Sequence, residues 1–145
     1  MADDVAITAG SGTTVATDDA SGRHVQLFKI AAALGGSAAH ELTNDSSTAY
    51  EASNILKASA GVLYGLTVHS SRTSAQFIQL HNTTTVPADT AVPVWVMYVP
   101  ASTTVAVDFG LFGRSFATGI TVCNSSTGPT KTIGSADCWF DAQFV

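Results

Sequence analysis

From residue 61 onward, short apolar runs alternate with polar, turn-forming stretches. The runs are 61–69, 75–81, 92–99, 103–109, 119–124 and 137–144, with Ile55–Ala58 leading into the first. Ser, Thr, Asn, Gly and Pro bound each of them, and Pro100 stops the run that ends at Val99. Short strands at regular spacing between turn residues predict a sandwich or a barrel. No segment after residue 40 holds a helical apolar period over three turns. The expected fold is all-β: an antiparallel β-sandwich or a jelly-roll-like barrel.

The first part of the chain reads differently. Residues 1–22 hold too little apolar content for a core and carry the loose tripeptide Gly10-Ser11-Gly12 and the pair Ser21-Gly22, so they predict an extended N-terminal arm. Within it, Thr13, Thr14, Val15, Ala16 and Thr17 form an alternating piece able to add a strand to a partner's sheet edge. Residues 23–145 are the expected β-sandwich body. It opens with a strand over His24–Ile30, then a small-residue stretch over Ala31–Ala39. Glu41–Ser53 reads as a long polar loop with a turn at Asn44–Ser47, and loops of that length often bind.

The alternation also predicts faces. Phe77, Leu80, Val96, Val107 and Phe140 are the expected core. Tyr64, Gln76, Gln79, Trp95 and Trp139 lie in strands apolar or mixed on both sides, so they are the expected subunit interface, covered by a partner.

Charge narrows the function. Only 12% of residues are charged, about half the usual share. A surface of Ser, Thr and Ala with few charges repels neighbours weakly, which suits a subunit meant to be covered. The net charge of −5 sits mainly in the arm, where Asp3, Asp4, Asp18 and Asp19 precede the first basic residue, Arg23. The absence of a basic patch argues against nucleic acid as a partner. No apolar run is long enough for a transmembrane helix. The start, Met1-Ala2-Asp3-Asp4, has no signal-peptide pattern, so synthesis in a cytosol is expected, with Cys123 and Cys138 as buried, reduced thiols.

No pattern supports catalysis. A Gly-x-Ser-x-Gly elbow is absent. His24, His40, His69 and His81 fall in no metal-ligand spacing. If 62–69 and 75–81 form a hairpin, His69 lies near its turn and His81 at its far end, too distant to share an ion. Asp18 and Asp19 point to opposite faces if extended, and Gly35-Gly36 lacks the Lys-Ser/Thr of a phosphate loop. The expectation is a non-enzyme with no catalytic residue, metal or cofactor.

The run Thr14-Val15-Ala16-Thr17-Asp18-Asp19, followed by Gly22, His24, Gln26 and Lys29, resembles the start of small structural proteins of tailed bacteriophages. Lys57–Gly65 looks like their opening body strand, and Asp108-Phe109 with Ala117–Ile120 looks like their later strands. The resemblance implies a capsid decoration (cement) protein, made in the host cytoplasm and carried on the capsid surface of the virion. It implies the major capsid protein as partner, self-association as a homotrimer, and no nucleic acid or membrane contact. Thr13, Thr14, Val15, Ala16, Thr17, Asp18 and Asp19 would be the capsid-contact arm. The alternative is a tail- or fibre-associated adaptor or host-binding β-sandwich module.

Overall fold

The computed structural model of the chain describes residues 17–20, 23–26 and 41–145. Among them are eleven strands and no helix, hence none long and apolar enough to cross a membrane. The chain divides into two units, residues 1–38 and 39–145.

In the first unit, β1 (Thr17–Ala20) pairs antiparallel with β2 (Arg23–Gln26), from Thr17 opposite Gln26 to Ala20 opposite Arg23. Thr17, Asp18 and Asp19 therefore sit in a hairpin with their own chain. Thr13, Thr14, Val15 and Ala16 lie outside the described residues, as do residues 27–30 of the expected second strand.

The second unit holds two antiparallel sheets. One is built from β4 (Ser53–Lys57), β10 (Ile120–Ser125), β6 (Gln76–His81) and β7 (Trp95–Val99), in that order. The other runs β3 (Thr43–Ser46), β11 (Cys138–Phe144), β5 (Gly61–Ser70) and β8 (Thr104–Asp108), and β9 (Arg114–Phe116) also pairs with β5. Neither sheet closes into a barrel, so of the two expected architectures the sandwich is the one formed. Leu56, Ile78, Leu80, Val99, Ile120 and Val122 of the first sheet pack with Leu63, Leu66, Val68, Phe116, Phe140 and Phe144 of the second in one buried cluster.

Three expectations change. Residues 62–69 and 75–81 do not form a hairpin. The chain crosses between sheets there, β5 pairing with β11, β8 and β9, and β6 with β10 and β7. His69 and His81 thus lie in separate sheets rather than along one ladder. The polar stretch Glu41–Ser53 contains strand β3, held at the sheet edge by pairing of Ser46 with Asp141 and of Asn44 with Gln143.

The core differs at two of its five expected positions. Leu80 and Phe140 are fully buried, and Val107 is half-buried against the core. Val96 is exposed and Phe77 half-buried. Trp95, Met97 and Val99 turn inward, so pleating sends Val96 and Tyr98 outward, with Phe77 edge-on to the Tyr98 ring at 5.8 Å.

Strands β8 and β9 run along the same edge of β5 in the same direction. Thr104–Asp108 pair with His69–Gly65 and Arg114–Phe116 with Leu63–Gly61. They are one edge course broken by an excursion over residues 109–113. Gly110 (φ 74°) starts the turn, its N–H donating to Asp108 Oδ1 at 2.7 Å, and Gly113 (φ 61°) returns the chain to the edge. Only glycine adopts such angles without strain.

Candidate contact surfaces

The five expected interface residues do not share a surface. Gln76 and Gln79 are enclosed by the protomer itself, with no exposed surface. Gln76 points between the sheets, where its Nε2 donates to Ser70 Oγ at 2.8 Å, Asp137 Oδ1 at 3.1 Å and Cys138 Sγ at 2.8 Å. Asn124 Nδ2 donates to the same Asp137 oxygen and to the Ser135 carbonyl, both at 2.7 Å. Asp137 therefore joins β6 and β10 of one sheet to the start of β11 in the other. Aiming both amide nitrogens at this carboxylate leaves Gln76 Oε1 and Asn124 Oδ1 buried with no hydrogen-bond partner in the protein.

Gln79 points the other way, to the outer face of its sheet, where the 126–132 loop covers it. Its Nε2 donates to the carbonyls of Thr127, Gly128 and Thr130 at 2.8, 3.0 and 3.2 Å. That orientation turns Gln79 Oε1 to His81, whose Nε2 donates to it at 3.2 Å. Burial, then the nearby Lys131 charge, pulls the His81 imidazole below its usual 6.5, so it stays neutral under the loop.

Tyr64 is half-buried, and its carbonyl accepts from Phe109 N at 2.8 Å. Trp95 faces the core side and meets Phe109 edge-to-face at 5.4 Å. Trp139 lies on the outward face of the five-stranded sheet, its indole N–H donating to the Ser47 carbonyl at 2.6 Å. There Thr48, Ala49, Tyr50, His69 and Trp139 line an open cleft of about 430 Å³.

The sequence did not single out the apolar side chains exposed around β7 and the excursion. Strand β7 is a sheet edge, and Val94, Val96 and Tyr98 stand outward along it at 45%, 37% and 58% exposure, continuing from Val92 at 74%. Beside it, the excursion presents Leu111 at 70% and Phe112 at 81%. Two contacts place the excursion next to β7: the Trp95–Phe109 ring pair, and Arg114 Nη2, which donates to the Val94 carbonyl at 2.5 Å. These neighbouring edges, one of each sheet, form a flank along which apolar side chains are exposed. The signal in the sequence was Gly110-Leu111-Phe112-Gly113, two large apolar residues between glycines that permit a protruding turn.

Reactive groups are few among the described residues. Cys123 and Cys138 are free and buried. Burial pushes the thiol of Cys123 up to about 11 and that of Cys138 up to about 12, so both stay protonated and non-nucleophilic at neutral pH. No group of three or more His, Cys, Asp and Glu side chains among the described residues is placed to hold a metal ion. No protein-family model, curated protein or solved structure matches the chain.

Proposed function

We propose that this chain is a non-enzymatic virion structural protein that decorates and stabilises a phage capsid by binding between major capsid subunits. The apolar flank of Val92, Val94, Val96, Tyr98, Leu111 and Phe112 carries the reading. Large apolar side chains exposed along neighbouring edges favour a protein partner that removes them from water. Burying one side chain of Phe or Leu size is worth about 1.5–3 kcal/mol, so a few of them repeated across a lattice hold a subunit firmly. Among the described residues strand β7 is also an edge of its sheet, the kind of position at which strand addition occurs. The low charge of the chain supports the same reading, since little repulsion opposes close packing.

The identity of the partner comes from the resemblance of 14–29, 57–65, 108–109 and 117–120 to phage structural proteins, and the homotrimer comes from that resemblance alone. The acidic residues of the arm, Asp18 and Asp19 among them, suit a basic surface on the capsid.

A variant with Leu111→Asp and Phe112→Asp tests the reading. Both side chains stand in solvent, so the variant keeps the melting temperature of the parent. The expected result is loss of co-sedimentation with capsid particles and of their protection against heat. A variant that attaches and protects as the parent does would overturn the proposal.

A further inference from the structure

We infer that the outward face of the five-stranded sheet is a binding strip for a neutral oligosaccharide, separate from the apolar flank. Register sets out the strip in rows. Trp139 lies opposite His69, Asp141 lies between Ser46 and Thr67, and Gln143 lies between Asn44 and Gly65. Alternation along β11 puts Trp139, Asp141 and Gln143 on one side, so the rows extend about 13 Å. The cleft lined by Tyr50, His69 and Trp139 occupies one end. A second groove of about 210 Å³, lined partly by Gly65, Thr67, Asp141 and Gln143, follows it.

The two ends have the two chemistries a sugar chain needs. A pyranose ring offers a face of C–H groups and a rim of hydroxyls. The aromatic end supplies apolar ring surface held in place. The Trp139 indole is tethered to Ser47, and His69 is fixed by Thr104 Oγ1 at 2.9 Å from Nδ1 and tilted against Tyr50 at 6.2 Å. The polar end supplies hydroxyl partners. Asp141 uses Oδ1 to accept from Ser46 at 3.0 Å, and neither its Oδ2 nor the Gln143 amide has a partner among the described residues. In the Gln143 row Gly65 leaves the floor at backbone level. A Cβ built there would meet only Gln143 Oε1 and Val107 O, both at 3.9 Å.

Aromatic surface with a few convergent polar groups is the usual make-up of a small-ligand site. The strip carries Asp141 and no Lys or Arg, so it disfavours sialylated or sulfated chains. Its length favours an oligosaccharide over a single sugar.

The test uses the full chain and short oligomers of glucose, galactose, mannose and N-acetylglucosamine, with sialyllactose and a heparin fragment as anionic probes. Saturation-transfer NMR and titration followed by tryptophan fluorescence read the binding. At least one neutral oligomer is expected to bind, and Tyr50→Ala and Asp141→Asn are each expected to weaken it roughly tenfold. Tyr50 is half exposed and outside the core, so Tyr50→Ala should keep the melting temperature and separate binding from folding. The inference is overturned if no neutral oligomer binds at millimolar concentration, if only the anionic probes bind, or if the folded variants bind like the parent. The Leu111→Asp and Phe112→Asp variant alters another surface, so its outcome and this one are independent.

Discussion

Gln76 and Asp137 join the two sheets: the Gln76 amide nitrogen donates to Asp137 Oδ1 at 3.1 Å, from β6 of one sheet to the residue that precedes β11 of the other. Asn124 donates to the same oxygen at 2.7 Å. One carboxylate oxygen thus accepts from two buried amide nitrogens. Asp137→Ala would take one charged acceptor from each amide nitrogen, leaving Gln76 with Ser70 Oγ and Cys138 Sγ and Asn124 with the Ser135 carbonyl, and a hydrogen bond to a charged group is worth about 1.5–3 kcal/mol. The expected loss is about 2–4 kcal/mol in urea unfolding. A loss below about 0.5 kcal/mol would show that the sheets are held together without this link.

The excursion that displays Leu111 and Phe112 depends on Gly113 more than on Gly110. A Cβ at Gly113 would come within 2.4 Å of Val62 Cγ1 and 2.9 Å of the Leu63 carbonyl, whereas at Gly110 it meets nothing within 4 Å. Both have positive φ, so alanine costs about 1–2 kcal/mol at either site from backbone strain. Gly113→Ala adds the clash and is expected to lower the melting temperature clearly more than Gly110→Ala. Equal effects in thermal unfolding would contradict the described return of the chain to the sheet edge.

Stability should fall on both sides of neutral pH. The buried thiols keep their protons in the fold, up to about 11 for Cys123 and about 12 for Cys138, against 9.0 when unfolded. Their contribution is intact below pH 9 and is lost as pH rises through those values. His81 has the opposite sign. Its pKa is lowered by burial, so the unfolded chain takes up a proton first, and stability falls as pH drops below 6.5. Urea midpoints from pH 5 to 10.5 read both flanks. Cys138→Ala should flatten the alkaline flank and His81→Gln the acid one; unchanged slopes would rule out these groups as the cause.

The fold class was legible because turn residues punctuate the apolar runs from Gly61 to Phe144. Pairing was not. Nothing in Ser70–Ala75 distinguishes a hairpin turn from a crossing between sheets, and here the chain crosses. Strand β3 was hidden because Thr43-Asn44-Asp45-Ser46 has the composition of a turn. It is a strand by virtue of its pairing with β11 and bonds such as that of Ser46 to Asp141. Faces were readable only where one side is polar. In β7 both sides are apolar, so Val96 read as core although it lies outward. In β6 the polar Gln79 read as interface, although the 126–132 loop of the same chain supplies three carbonyls that let it be buried.

Burial of Phe140, by contrast, followed from alternation alone: Cys138, Phe140, Ala142 and Phe144 all point to the core. Phe140→Ala should cost about 3–5 kcal/mol by urea unfolding, as truncation of a fully enclosed ring does. A loss under about 1 kcal/mol would place the ring outside the shared core.

The apolar flank is the proposed contact with a protein shell. The decisive measurement is an electron cryomicroscopy reconstruction of particles that co-purify with the chain. Many copies between major capsid subunits are expected, with residues 92–98 and 109–113 against a neighbour. A chain absent from the shell, confined to a few copies at the tail, or bound with that flank facing solvent would contradict it.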